Sequence, residues 1–144
     1  MGVRGVGARD RRRGERGIVN GAELHRRAAD RALELPGSVL THPFGEETDV
    51  YKVHGKVFML VTTVHGEELV NLKARPEDAH ALREAYEDIT PGWHMNKKHW
   101  ISLHPGGRVD PEFVDDLVTE SYLLVVAGLP RRDRPVNPET FGRP

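Results

Sequence analysis

The sequence predicts a two-layer α+β domain: a mainly antiparallel sheet with helices packed on it. Three observations carry this. Apolar residues recur at helical spacing in three segments. Between the first two helices, short apolar runs are separated by X-Gly pairs, a hairpin signal. The elements then read helix, three strands, helix, one or two strands, helix, an order that suits an antiparallel sheet covered by helices.

The first helix begins at Asn20, a favourable N-cap with Glu23 three residues on, as in a capping box. Leu24, Ala28, Ala32 and Leu35 share one face, and Pro36-Gly37 stops the helix. Ser38 to Phe44 reads as extended, and Gly45 to Thr48 as a polar turn. Asp49 to His54, Lys56 to Val64 and Glu67 to Lys73 form a meander turning at His54-Gly55 and His65-Gly66. Val57 to Val61 is apolar on both faces, so this strand should lie inside the sheet. Pro76, Glu77 and Asp78 open a second helix whose buried side is Ala79, Leu82, Tyr86 and Ile89, and Thr90-Pro91-Gly92 breaks it. A strand runs from Trp100 to His104, and Pro105-Gly106-Gly107 turns the chain. Asp110 caps a third helix with Pro111 first and Glu112 favouring its dipole, and Gly128 and Pro130 end it.

The division is therefore a basic arm at 1–19, one domain at 20–129, and a Pro/Arg-rich, irregular tail at 130–144. The net charge of −1 conceals an asymmetry: the arm sums to +4, the residues after Leu129 to +2, and the segment between to −7, with histidine counted neutral. Cysteine is absent, which excludes disulfides, zinc–cysteine sites and thiol catalysis. With no signal-peptide core and no apolar run near the roughly 20 residues of a membrane span, a cytoplasmic protein without membrane contact is expected.

No phosphate-cradling loop, H-E-x-x-H or G-x-S-x-G is present, and no catalytic residue or cofactor is assigned. The eight histidines do not converge by spacing: along a regular strand, His94 and His99 would face opposite sides and His94 and His104 would lie about 33 Å apart. No metal site is assigned.

The distinctive stretch is Trp93-His94-Met95-Asn96-Lys97-Lys98-His99-Trp100, which holds both tryptophans. Its rings suit base stacking, its lysines suit phosphates, and Asn96 suits either a base edge or a turn. The structural alternative places Trp100 in the core, Trp93 beneath Tyr86 and the lysines in solvent. On the nucleic-acid reading, weak and salt-sensitive DNA or RNA contact comes from Lys52, Lys56, Trp93, His94, Asn96, Lys97, Lys98 and Trp100. The hairpin tips act as wings, and Arg11, Arg12 and Arg13 of the arm contact phosphates. The acidic segment opposes this unless its lysines cluster. The alternatives are a non-enzymatic protein-binding or chaperone-like module and a small-ligand binder at Trp93–Trp100.

Three stretches resemble the MmcQ/YjbR family of small bacterial proteins: Pro43-Phe44-Gly45 with Asp49 to Phe58, Leu69 to Lys73, and His94 to Trp100, which is similar to the family's His-x-Asn-Lys-x-His-Trp core. The resemblance spans roughly Glu23 to Leu129 and leaves out the arginine arm. It implies the order α-β-β-β-α-β-β-α with helices on one face, similar to secretion chaperones. The family is commonly labelled DNA-binding and has no agreed catalytic residues, so the resemblance implies nucleic-acid contact and assigns no catalysis.

Overall fold

The computed structural model describes residues 20–142. Helix α1 (Gly21–Glu34) is followed by strands β1 (Ser38–Thr41), β2 (Asp49–Val53), β3 (Lys56–Val64) and β4 (Glu67–Lys73). Helix α2 (Pro76–Ala85), strands β5 (Ile89–Pro91) and β6 (Trp100–Leu103), and helix α3 (Pro111–Ala127) complete the order. All six strands form one antiparallel sheet in the order β1-β2-β3-β4-β6-β5.

The sequence-derived order is right except for one added strand. The extended stretch after Gly37 pairs with β2 along its whole length, from Ser38 opposite Val53 to Thr41 opposite Val50. A second correction concerns Ile89, expected on α2. That helix ends at Ala85, and Ile89 instead starts β5, opposite Leu103. A helical i, i+3 spacing carried it onto the wrong element, because its burial comes from the sheet face rather than from a helix face.

The core forms where alternate strand residues meet the helices. Tyr51, Met59, Leu72 and Ile101 make one cross-strand row, and Val61, Val70, Leu103 and Ile89 make the next. Leu24, Ala28 and Ala32 of α1, Ala79 of α2, and Val114, Val118 and Tyr122 of α3 join them in one buried cluster, so the helices lie on a single face. Asn20 caps α1 by accepting the Glu23 N–H at 2.8 Å, and Asp110 caps α3 by accepting the Phe113 N–H at 2.9 Å.

Strand β3 bulges where the register shifts between Tyr51 and Lys52. Phe58 there joins the core and meets Tyr122 edge-on, with ring centroids 5.4 Å apart. The buried Ser121 hydroxyl sits between the two strands. It accepts the Lys73 N–H at 2.8 Å and donates to the Phe58 carbonyl, supplying partners that a regular ladder would have provided.

His54 and Gly55 both have positive φ (48° and 79°), as do His65 and Gly66 (52° and 82°), which suits two-residue hairpin turns. The two tips cannot act as a pair of wings at one end. Successive turns of a meander lie at opposite ends of the shared strand, and β3, at nine residues, separates them by about 26 Å.

The segment that follows α3, described to residue 142, docks on the domain. Val136 and Phe141 pack against the core, and a 3-10 turn spans Arg131–Asp133. The Arg134 guanidinium donates to the carbonyls of Leu129 and Ala127 at 2.9 and 2.8 Å, satisfying acceptors at the end of α3. The arm, including Arg11, Arg12 and Arg13, lies outside the described residues. No helix among the described residues is long and apolar enough to cross a membrane.

Candidate functional site

The sheet face opposite the helices carries a row of different chemistry. By register it runs Val50, Leu60, Asn71, Ser102, Thr90. Asn71 and Ser102 are buried, at 1% and 0% exposure, and buried polar groups must find partners. They find each other and one residue of the β5–β6 loop. The Ser102 hydroxyl donates to Asn71 Oδ1 and accepts the Trp93 N–H at 2.8 Å, while Asn71 Nδ2 donates to the Trp93 carbonyl at 2.9 Å. The sheet thus holds the main chain of Trp93 at both its donor and its acceptor.

The remainder of the loop is braced from within. Gly92 N–H donates to the Trp100 carbonyl at 2.9 Å, and a Cβ on Gly92 would lie 2.6 Å from Trp100 Cβ, so only glycine fits this approach. Asn96 Oδ1 accepts the Lys98 N–H at 2.9 Å, and Lys97 Nζ donates to the Gly92 carbonyl at 3.2 Å. The Asn96 side-chain oxygen therefore closes a turn. His94 takes a left-handed backbone, φ 55°, and its ring stacks on Trp93 with centroids 4.0 Å apart and planes 12° from parallel.

Trp93 is 37% exposed, and His94, Asn96, Lys97, Lys98 and His99 are exposed around it, while Trp100 is half-buried. This corrects two structural expectations. Trp93 stacks on His94, whereas Tyr86 pairs with Phe113 at 5.3 Å. Trp100 is outside the helix-side core, because it alternates with Ile101 and so shares the opposite face with Ser102.

Cations gather at one end of the sheet. Lys73 stands opposite Trp100, and Ala74 N–H donates to the His99 carbonyl at 2.8 Å, which brings Lys73 and Arg75 against the loop's end. Arg83 of α2 reaches the Lys97 carbonyl at 3.5 Å. Lys52 and Lys56 belong to the same end by register, near the β2–β3 turn. There His54 lies 3.3 Å from Asp133, which places Arg131 and Arg132 of the 3-10 turn nearby. Acids mark the opposite end: Asp49 opposite Val61, Glu67 opposite Val64, and Asp88, whose carbonyl accepts the His104 N–H. Glu77 and Asp78 in the first turn of α2 offset part of the basic charge.

Of the residues expected at the site, Trp93, His94, Asn96, Lys97, Lys98 and Trp100 share the loop and its exit. Lys52 and Lys56 share only its end of the sheet. Asn71, Ser102, Lys73, Arg75 and Arg83 are additions from the structure. A polar residue inside each apolar run, Leu69-Val70-Asn71-Leu72 and Trp100-Ile101-Ser102-Leu103, was the signal for the first two. His104 is occupied elsewhere, 2.8 Å from Thr90 Oγ1 and 3.3 Å from Glu67. Among the described residues no group of three or more histidines and carboxylates is placed to hold a metal. Two open surface depressions, lined by Arg27, Arg31 and Asp115 and by Arg131, Arg134 and Val136, do not include the loop.

An open antiparallel sheet with helices on one face and a braced loop on the other defines a small two-layer α+β module. The sequence pattern of the YjbR family matches residues 33–124, and the chain belongs to that family. It is 46% identical over 111 residues to the uncharacterized protein YbdF of Escherichia coli O157:H7, covering 77% of this chain and 91% of that one. The uncharacterized protein YjbR of Escherichia coli K12 is 35% identical over 83 residues, covering 58% of this chain and 70% of its own. A Deinococcus radiodurans crystal structure with a DUF419 domain superposes with a TM-score of 0.69 at 32% identity, covering 88% of this chain and 91% of that one.

Proposed function

We propose that the chain is a weak nucleic-acid-binding module whose contact surface is the basic end of the sheet with the Trp93–Trp100 loop as its platform. The observation that carries this reading is the exposed Trp93–His94 stack in a loop that also exposes Lys97 and Lys98 and whose exit, at His99 and Trp100, meets Lys73 and Ala74. A stacked ring pair with open surface can continue onto an unpaired base, and base–aromatic stacking contributes about 1–3 kcal/mol per base. The surrounding cations neutralise phosphates, which makes the binding salt-dependent. Segregation of charge along the strands supports the reading, because a chain that is acidic overall still gathers lysines and arginines at one end of the sheet.

The test is a fluorescence-anisotropy titration with single-stranded and duplex DNA and RNA at several salt concentrations. The full chain is compared with Trp93→Ala, with Lys73→Ala/Lys98→Ala, and with a chain lacking residues 1–19. Binding should weaken steeply with salt. Trp93→Ala should lower single-strand affinity most, the lysine pair should reduce the salt slope by roughly 1–2, and loss of the arm should weaken every substrate. Absence of binding at low salt, or tight binding indifferent to all three changes, would overturn the reading.

A further inference from the structure

Four of the five large apolar side chains left exposed among the described residues lie on or beside one edge of the sheet: Leu33 (57%), Val39 (54%), Leu40 (38%) and Phe44 (73%). Val39 and Leu40 belong to edge strand β1, Phe44 follows it, and Leu33 lies near the end of α1, which packs beside β1. The two edges of the sheet differ. β5 is three residues long, ends in Pro91 and packs against α2. Shortness, proline and a covering helix are the usual guards of an edge. β1, Ser38-Val39-Leu40-Thr41, has no charge and no proline, and one of its sides is fully used by β2. Its outer backbone groups form a template for another extended strand.

We propose that a second copy of this chain pairs with β1, antiparallel, joining the two sheets into one of twelve strands. The strand's own pattern argues for self-pairing. A two-fold axis perpendicular to the sheet at Leu40 sets Leu40 against Leu40 of the second copy and Val39 against its Thr41. Each side chain then stays on its own face, and the helix layers of both copies lie on the same side. Directly opposed residues carry no like charges within the strand. Such a contact is isologous and closes on itself. Residues 1–19 are a poor alternative occupant, since Gly and Arg dominate them and no run alternates apolar and polar residues as a half-buried strand does. A four-residue pair with its apolar flank is small beside the roughly 800 Å² per partner of a standard interface, so association should depend on concentration.

Sedimentation velocity on the full chain, from micromolar to near-millimolar concentration, tests this. The weight-average mass should rise from one protomer toward two. Leu40→Lys, which sets two like charges at the axis, should raise the dissociation constant about tenfold or more, equivalent to about 1.4 kcal/mol. Val39→Lys, at a more exposed position, should weaken association in the same direction, with circular dichroism confirming that both variants fold. Trp93→Ala should leave association unchanged. A wild-type chain monomeric throughout, or a Leu40→Lys chain that associates like wild type, would overturn the proposal. So would association that appears only once residues 1–19 are removed, since that would make the arm the occupant of the edge.

Discussion

Replacing Asn71 with alanine should loosen the sheet's hold on the loop, leaving only the Ser102 contact to the Trp93 N–H, while the fold stays in place. Asn71 donates to the Trp93 carbonyl and accepts the Ser102 hydroxyl. Each hydrogen bond contributes about 1 kcal/mol net. The two losses are unequal. The Trp93 carbonyl belongs to an exposed loop, where water can replace the amide. The Ser102 side chain is fully buried, so its hydroxyl loses a partner in a place water does not reach, at about 1–3 kcal/mol. Together these give roughly 2–4 kcal/mol, a measurable part of the roughly 5–15 kcal/mol typical of a domain. Urea unfolding gives the stability change at constant slope. Fluorescence gives the location, because the chain's two tryptophans are Trp93 and Trp100 and emission reports this region alone. Ser102→Ala should cost a similar amount, because it strands the buried Asn71 Oδ1 and removes the acceptor of the Trp93 N–H, and the double variant should cost less than the sum, because the side chains form one network. A loss under about 1 kcal/mol with unchanged emission would show that something else holds the loop.

Two other outcomes rest on the packing and the charges. Gly92→Ala should destabilise by about 1–3 kcal/mol in urea unfolding, since the new methyl group meets Trp100 Cβ at 2.6 Å and its backbone at 3.0 Å. The Asp116 carboxyl on α3 is raised above its ordinary value, by desolvation first and then by Asp115, Glu112 and Asp110. Its folded-state pKa exceeds its unfolded value, so the ionised form costs stability, and that cost grows as pH rises from the unfolded pKa through the folded one. Asp116→Asn should therefore stabilise the chain at neutral pH, with the gain fading in acid. Solvent screening at this largely exposed position keeps the gain to roughly a few tenths of a kcal/mol. Unfolding curves at neutral and acidic pH check the sign.

Most of the architecture could be read from the sequence because its signals are local. Asn20 and Asp110 mark helix starts through caps that the structure contains, and His-Gly pairs mark both hairpins. Strand β1 was visible only as extended, because four residues leave little room for alternation to declare a partner. The loop was legible as a composition but not as a shape. What sets its shape is Asn71 and Ser102, 31 residues apart and adjacent only through the β4–β6 pairing, which joins strands that are not consecutive in the chain. Lys73, Arg75 and Arg83 were missed for the same reason. Charge counted along the chain gave an acidic segment, whereas the register sorts that segment into a cationic end and an anionic end. The wing idea failed on a point the sequence already contained, because two turns flanking one strand must sit at its two ends.

The grip on residue 93 engages its N–H and its carbonyl, groups that every amino acid except proline would present alike. The mounting is therefore indifferent to what is mounted. Residue 93 can be exchanged without rebuilding the loop, much as a tool is changed in a fixed chuck. Relatives that keep Asn71, Gly92 and Ser102 are free to vary the side chain they display, and with it the molecules they meet.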